Sequence, residues 1–262
     1  MEKHLSELNP QLSVDCVIFG FTGEHLKVLL IERNDQAAHV LPESKPAKKG
    51  SLNKKSIPNK SKLPGDLIHL GEDLDEAAKR ILFELTGLKD IFLHQFSVFG
   101  NPGRTSNTED REWLEAISGL TIKRVVTTAY FSLVEINNSS SKNELTHNAS
   151  WHDIKQLPPL TFDHEEIILA GLESLRKEIR FEPICFKLLP EKFTIRQIQT
   201  LYEVILDQAL DNRNFRKKLL KADYIEPLNI KQRGVAHKPA MYYHFNEQKY
   251  EESRKDILQY NF

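Results

Sequence analysis

One helix in this chain has both of its ends written into the sequence. In LPGDLIHLGEDLDEAAKRILFELTGL, residues 63–88, Asp73 is placed to cap the first free N–H groups, Glu76 three residues on has the spacing of a capping box, and Gly87 supplies the stop. Between those ends Ala78, Ile81, Leu82 and Leu85 fall on one face at a 3.6-residue period, opposite Glu76 and Lys79. Such a stripe has to cover an apolar partner, and the flanking segments supply strands. Val14–Phe21 and Leu26–Ile31 are rich in β-branched and aromatic residues and are separated by Thr22, Gly23 and Glu24, which reads as a hairpin; Phe92–Phe99 and Val125–Ile136 follow. Asn137–Ser141 is expected as a turn and Trp151–Leu160 as a Pro-containing connection. Asp163–Arg180 is expected as a second amphipathic helix with Ile167, Ile168, Leu172, Leu175 and Ile179 inward. The expected class is α+β.

The chain changes character near Glu182 and Pro183. Thr194 and Gln197 form a capping box, with Phe193 and Ile198 at hydrophobic-staple spacing, ahead of TIRQIQTLYEVIL. Asp211 then caps NRNFRKKLLK, with Leu210 and Phe215 again at staple spacing. A basic turn containing Gly234 and Pro239 leads to AMYYHF, residues 240–245. Helix, turn, helix and hairpin in that order describe a winged helix. With 262 residues the chain is long enough for two cores, and the expected division is 1–181 and 182–262. Its two cysteines, Cys16 and Cys185, lie in apolar surroundings and offer neither a disulfide framework nor a CxxC metal site. No apolar window reaches the length of a membrane span, and the N-terminus is too polar for a signal peptide, so the cytosol is the expected compartment and no membrane is involved.

Formal charge nearly cancels, with 36 basic and 37 acidic residues, yet its distribution is uneven. Ser44–Lys62 holds seven lysines and no acid, with only Ala47, Leu52 and Ile57 as apolar residues; it reads as a disordered insert. Asp211–Lys238 holds eight basic residues against three acidic ones, a net +5, interleaved with apolar residues at helical spacing, which marks a folded charged surface.

Residues 66–88 resemble the Nudix box, G x5 E x7 R E U x E E x G U with U a bulky apolar residue. Glu72, Arg80, Leu82, Glu84, Gly87 and Leu88 stand at their expected places, preceded by Pro64 and Gly65. The departures are Asp66 for the first glycine, Ile81 for the glutamate after the arginine, and Leu85 for the second of the paired glutamates. The family's glutamates hold divalent metal on one helix face; with Ile81, Glu84 and Leu85 there, hard oxygen ligands are too few for a tight Mg²⁺ site. The expectation is therefore a non-enzyme, with no catalytic residues, no metal and no cofactor. Mg²⁺-dependent hydrolysis of nucleoside diphosphate derivatives stands as one alternative, and a helix that merely packs, with no surviving pocket, as another.

Across nearly its whole length, through FGNPGR, KRVVTTAYF, FDHEEI, LPEKFT, NRNFRKK and GVAHKPAMYYHF, the chain is similar to the Nudix-related transcriptional regulators of bacteria. The resemblance implies a homodimer in which a Nudix-like α/β/α sandwich that binds a small effector is followed by a winged helix-turn-helix domain on double-stranded operator DNA. It also implies one of two branches: repressors of NAD metabolism that sense ADP-ribose, some retaining hydrolase activity, or regulators that sense arabinose or related sugars. The lysine-rich insert departs from the family, which has a short connection there. Loss of the glutamates points to the sugar branch, with a pentose such as L-arabinose as effector and ADP-ribose as the alternative.

The DNA-reading candidates are Asn212, Arg213, Asn214, Arg216, Lys217 and Lys218 on the second helix, and Lys231, Arg233, His237 and Lys238 on the wing. Arg suits bidentate readout of guanine, Asn of adenine, and Lys neutralises phosphate. A protein-interaction role for this domain is the rival reading. The effector candidates are the polar positions Arg80, Glu84, Asn101, Arg104, Arg124, Tyr130, Asp163 and His164.

Overall fold

The protein is described by a computed structural model covering residues 8–33, 60–136, 145–146, 148–180, 184–234 and 238–259. The turn expected at 137–141, the insert from 44 to 59, His237 and the expected boundary at 181/182 lie outside the described residues.

The first strand, β1 (Leu8–Phe21), is buried without a break from Ser13 to Phe21, because its apolar run is covered on both faces. With β2 (Leu26–Glu32), β3 (Ser61–Lys62), β4 (Gly65–His69), β5 (His94–Phe99), β6 (Val126–Glu135) and β7 (Ala149–Asp153) it forms a seven-stranded sheet. The main path runs β3-β2-β1-β6-β5, with β4 on β1 and β7 on β2. Helix α1 (Leu74–Thr86) follows β4; Ala77, Ala78, Ile81 and Leu82 are its buried apolar residues. Helix α3 (His164–Glu178) places Ile167, Ile168, Leu172 and Leu175 inward, with Ile179 just beyond its end, as its periodicity predicts.

Four local expectations change. Asp73 caps α1 through the Asp75 N–H at 2.9 Å instead of closing a box with Glu76. Leu85 is only half-buried. Within Trp151–Leu160, Trp151–Asp153 belong to β7, which pairs Lys27–Ile31 with Asp153–Ala149; the segment has few β-formers and is a strand because β2 offers it a hydrogen-bonding edge. The insert ends earlier than expected: Arg33 N–H donates to the Lys60 carbonyl, and Ser61 and Lys62 pair with Glu32 and Ile31, so Lys60–Lys62 are part of the fold. A helix that periodicity did not show, α2 (Thr108–Ser118), is capped by Asn107 and stopped by Gly119 in the left-handed region.

In the C-terminal part, β8 (Phe193–Thr194), α4 (Ile195–Leu206), α5 (Asn212–Leu219), β9 (Ile225–Lys231) and β10 (Met241–Phe245) follow the expected order, and α6 (Glu247–Gln259) adds a further helix. The capping box of Thr194 and Gln197 is present, and Asp211 accepts the Asn214 N–H at 2.8 Å. Phe186, Phe193, Ile195, Ile198, Ile225 and Tyr243 form this region's core, with Phe215 and Leu219 of α5 packed against it. By contacts the chain divides into two compact units, 1–20, 27–132 and 136–174 in one, and 21–26, 133–135 and 175–262 in the other. No helix among the described residues is long and apolar enough to cross a membrane.

Candidate functional site

The box helix carries a three-residue ion network. Arg80 grips Glu72 in a bidentate fork at 2.6 and 2.7 Å and reaches Glu84 at 3.2 Å. Glu72 also accepts the His69 N–H at 3.1 Å. The Arg80 fork holds the Glu72 carboxyl below the usual carboxylate range, burial opposing it only in part. Ile81, at a family metal position, is fully buried, and Leu85, at another, presents hydrocarbon. Both Glu72 oxygens are committed to Arg80, so Glu84 is left as the one exposed carboxylate at the motif's glutamate positions. This donor set does not fit a divalent cation, which needs several hard oxygens on one side. Among the described residues no group of three or more His, Cys, Asp or Glu is placed to share a metal.

A second network is buried beside the sheet. Arg104 donates to both oxygens of Asp163, at 3.0 and 2.8 Å, and lies 3.6 Å from Asp15. His164 Nδ1 accepts the Leu63 N–H at 3.0 Å, while Nε2 lies 3.6 Å from Asp15. Burial lowers the His164 pKa and outweighs the Asp15 carboxylate, so the ring is neutral with its proton on Nε2. Gly65 permits this packing, since a Cβ there would stand 1.9 Å from Asp15 Oδ1. Asp15 was not singled out from sequence, yet one acid inside VDCVIFGF is a signal: a carboxylate in a buried strand requires partners.

Helix α2 builds a third network. Asp110, almost fully buried, takes Arg33 at 2.8 Å, Lys60 at 2.9 Å and the Phe162 N–H at 3.0 Å. The Arg33 guanidinium also stands 5.4 Å from the Trp113 ring centre. Sequence offered no pointer to Asp110, which sits in the polar run EDREWLE.

The eight effector candidates therefore fall into separate groups. Arg80 and Glu84 share the box network, and Arg104, Asp163 and His164 share the buried one. Asn101 and Arg124 meet at an exposed turn, where Arg124 donates to the Gly100 carbonyl at 2.9 Å and Asn101 caps the short helical turn after it. Tyr130 lies apart, its hydroxyl donating to Asp75 at 2.6 Å.

In the winged region, Phe215 and Leu219 turn into the core and leave Asn212, Arg213, Asn214, Arg216, Lys217 and Lys218 exposed. Lys231, Arg233 and Lys238 are exposed as well. Among the described residues, Arg216 is the one of these whose side chain has a partner, the Tyr243 hydroxyl at 3.4 Å. The turn before α5 is pinned from α4: Glu203 accepts the Leu210 N–H at 3.0 Å and the Gln199 amide at 2.9 Å, and Gln199 donates to the Leu210 carbonyl at 3.0 Å. The Leu210 N–H holds the Glu203 carboxyl below its ordinary range. Asp207, in the left-handed region, ends α4 just before this turn. The arrangement offers a polyanion a fixed cationic helix.

Comparison with known proteins agrees with both halves. Residues 9–170 match the NUDIX domain, and residues 185–245 match the NrtR DNA-binding winged helix domain. Over 259 residues the chain is 27% identical to the ADPR responsive transcriptional repressor NtrR of Acinetobacter baylyi, covering 96% of this chain and 88% of that protein. The crystal structure of Shewanella oneidensis NrtR complexed with a 27mer DNA superposes with a TM-score of 0.64 at 22% identity, covering 91% of this chain and 94% of that one. A MutT/nudix family protein of Enterococcus faecalis superposes with a TM-score of 0.58 at 21% identity, covering 90% and 86%. The chain thus belongs to the Nudix-related regulator family, a NUDIX domain followed by an NrtR-type DNA-binding winged helix domain.

Proposed function

We propose that this chain is a transcriptional regulator that binds operator DNA through α5 and the β9–β10 wing and takes ADP-ribose as its effector in the Nudix domain. One observation carries the reading: a box helix without two of its metal carboxylates shares a chain with a helix-turn-helix face of cations that, among the described residues, have no carboxylate partner. The first feature speaks against Mg²⁺-dependent hydrolysis and the second for a nucleic acid.

The pentose expectation gives way to its alternative. The Acinetobacter baylyi relative is named as ADPR responsive, and the matching winged helix domain is of the NrtR type. Missing metal carboxylates argue against hydrolysis, not against diphosphate binding, since Arg forks hold phosphates without a cation. Arg124, which bonds the Gly100 carbonyl, and Asn101 beside that glycine are exposed polar contacts for such a ligand, with Glu84 a candidate for its hydroxyl groups. The protein acts as a homodimer, its domains divide at 181/182, and effector binding changes the spacing of the two recognition helices against the operator half-sites.

The test is binding of purified protein to the promoter DNA beside its own gene, at fixed salt, with ADP-ribose or L-arabinose added, alongside an assay of ADP-ribose hydrolysis with Mg²⁺. A specific complex altered by ADP-ribose and not by L-arabinose supports the reading. Mg²⁺-dependent hydrolysis without any specific DNA complex overturns it.

A further inference from the structure

The wing carries a feature that its positive charge does not explain. Along β9, Ile225 is buried, Glu226 to Leu228 alternate between half-buried and exposed, and Asn229, Ile230 and Lys231 are then exposed in succession. Three exposed residues in a row mean that this end of the ribbon has no core on either face. Ile230 is 51% exposed there, next to Lys231 and three positions from the exposed Arg233.

The backbone is built to present it. Lys231 pairs with Met241 and Pro227 pairs with Tyr243, which leaves Leu228, Asn229 and Ile230 opposite Tyr242 alone. Asn229 absorbs the excess by taking a left-handed conformation, φ 55°, tolerated by Asn better than by most residues. A bulge of this kind re-aims the side chains after it. An isoleucine left half in water on a bare ribbon gives up apolar burial that a partner can restore.

Charge identifies the partner. From Pro227 to Asn246 the chain contains Lys231, Arg233 and Lys238 and no acid, so the ribbon suits a polyanion. Apolar side chains beside phosphate-binding cations are what a groove of duplex DNA accepts against its sugar edges. We infer that Ile230 is an apolar wedge by which the bulged wing contacts a DNA groove, flanked by phosphate contacts from Lys231 and Arg233. The inference rests on the regulator reading and adds a contact that electrostatics does not supply.

The experiment compares wild type, Ile230→Ala, Lys231→Ala and the double variant Arg213→Ala/Arg216→Ala in full-length chain. The readouts are the affinity for the promoter duplex across a salt series and the assembly state by sedimentation. Ile230→Ala is expected to weaken binding by about fivefold to tenfold with an unchanged salt slope, because no charge is lost. Lys231→Ala is expected to lower the slope by about 1. Wild-type affinity in Ile230→Ala overturns the wedge, as does a changed assembly state that accounts for the whole loss. A wild-type chain that binds no duplex, specific or otherwise, overturns the regulator reading itself. Wild-type binding lost in the Arg213/Arg216 variant but intact in Ile230→Ala overturns the wedge alone.

Discussion

The NUDIX region and the winged region use cations in opposite ways. In the NUDIX region Arg33, Lys60, Arg80 and Arg104 each have a carboxylate within 3.0 Å, and Arg33 and Arg104 are buried. In the winged region Arg213, Lys217, Lys218, Lys231 and Arg233 are exposed and have no carboxylate partner among the described residues. A buried charge must be satisfied within the fold, so its pairing reports on stability; an exposed charge keeps its hydration and its field available to a partner. The same residue type therefore has opposite meanings in the two regions. Ion pairs here are poor markers of an active centre, and unpaired cations are the better marker of a binding face.

The largest expected effect tests the buried side of this contrast. Asp110→Ala removes the buried acid that serves Arg33, Lys60 and the Phe162 N–H, leaving the buried Arg33 guanidinium without its closest carboxylate and with the more exposed Glu109 3.6 Å away. A loss of about 3–5 kcal/mol in unfolding free energy is expected from denaturant titration. A loss below about 1 kcal/mol would show that the network is solvated and that the contrast is drawn too sharply.

Arg213→Ala and Arg216→Ala test the exposed side. Each is expected to cost about 1–3 kcal/mol of operator binding while leaving the thermal unfolding midpoint close to wild type, since neither side chain is in the core. Unchanged DNA affinity would favour a protein partner for this face.

Glu203→Ala sharpens the comparison, because Glu203 is a pairing device inside the exposed region. Removing it takes the acceptor from the Leu210 N–H and one of two acceptors from the Gln199 amide, and about 1–2 kcal/mol of specific binding should go with the orientation of α5. Non-specific binding, which needs charge and not orientation, should change less. Equal losses for both kinds of duplex would mean that Glu203 supports only stability.

The smallest effect is on pH dependence. His164 is buried and neutral, with its folded pKa lowered by burial, so the unfolded chain binds the proton more readily. Its stabilising contribution is complete above the unfolded value of about 6.5 and falls away as pH drops below it, by at most about 1.4 kcal/mol per pH unit. Denaturation at pH 7.5 and 5.5 should show this decline in wild type and a flatter profile in His164→Asn. An equal decline in both would place the titrating group elsewhere.

Much of this was legible in the chain because it depends on near neighbours. Caps, staples and apolar stripes act over three to five residues, so α1, α3, α4, α5 and the central strands follow directly from Asp73, Gly87, Thr194, Asp211 and the residues between. The cations of α5 were legible for the same reason: Phe215 and Leu219 must point inward, and helical geometry turns Arg213, Arg216 and Lys217 outward.

What lay beyond the sequence depends on residues far apart in the chain. Tertiary packing chose Asp163 as the partner of Arg104, Glu72 ahead of Glu84 as the main partner of Arg80, and the separation of the eight effector candidates into distinct groups. It also made β7 from a segment with little strand propensity and drew Arg33 and Lys60 onto Asp110, across separations of 77 and 50 residues. The bulge that leaves Ile230 bare arises in the same way, from the register of β9 on β10. Local rules set which residues face inward, but a long side chain such as arginine reaches several carboxylates. Which one it takes is decided only when the sheet and helices bring them together and burial penalises every arrangement that leaves a charge unpaired.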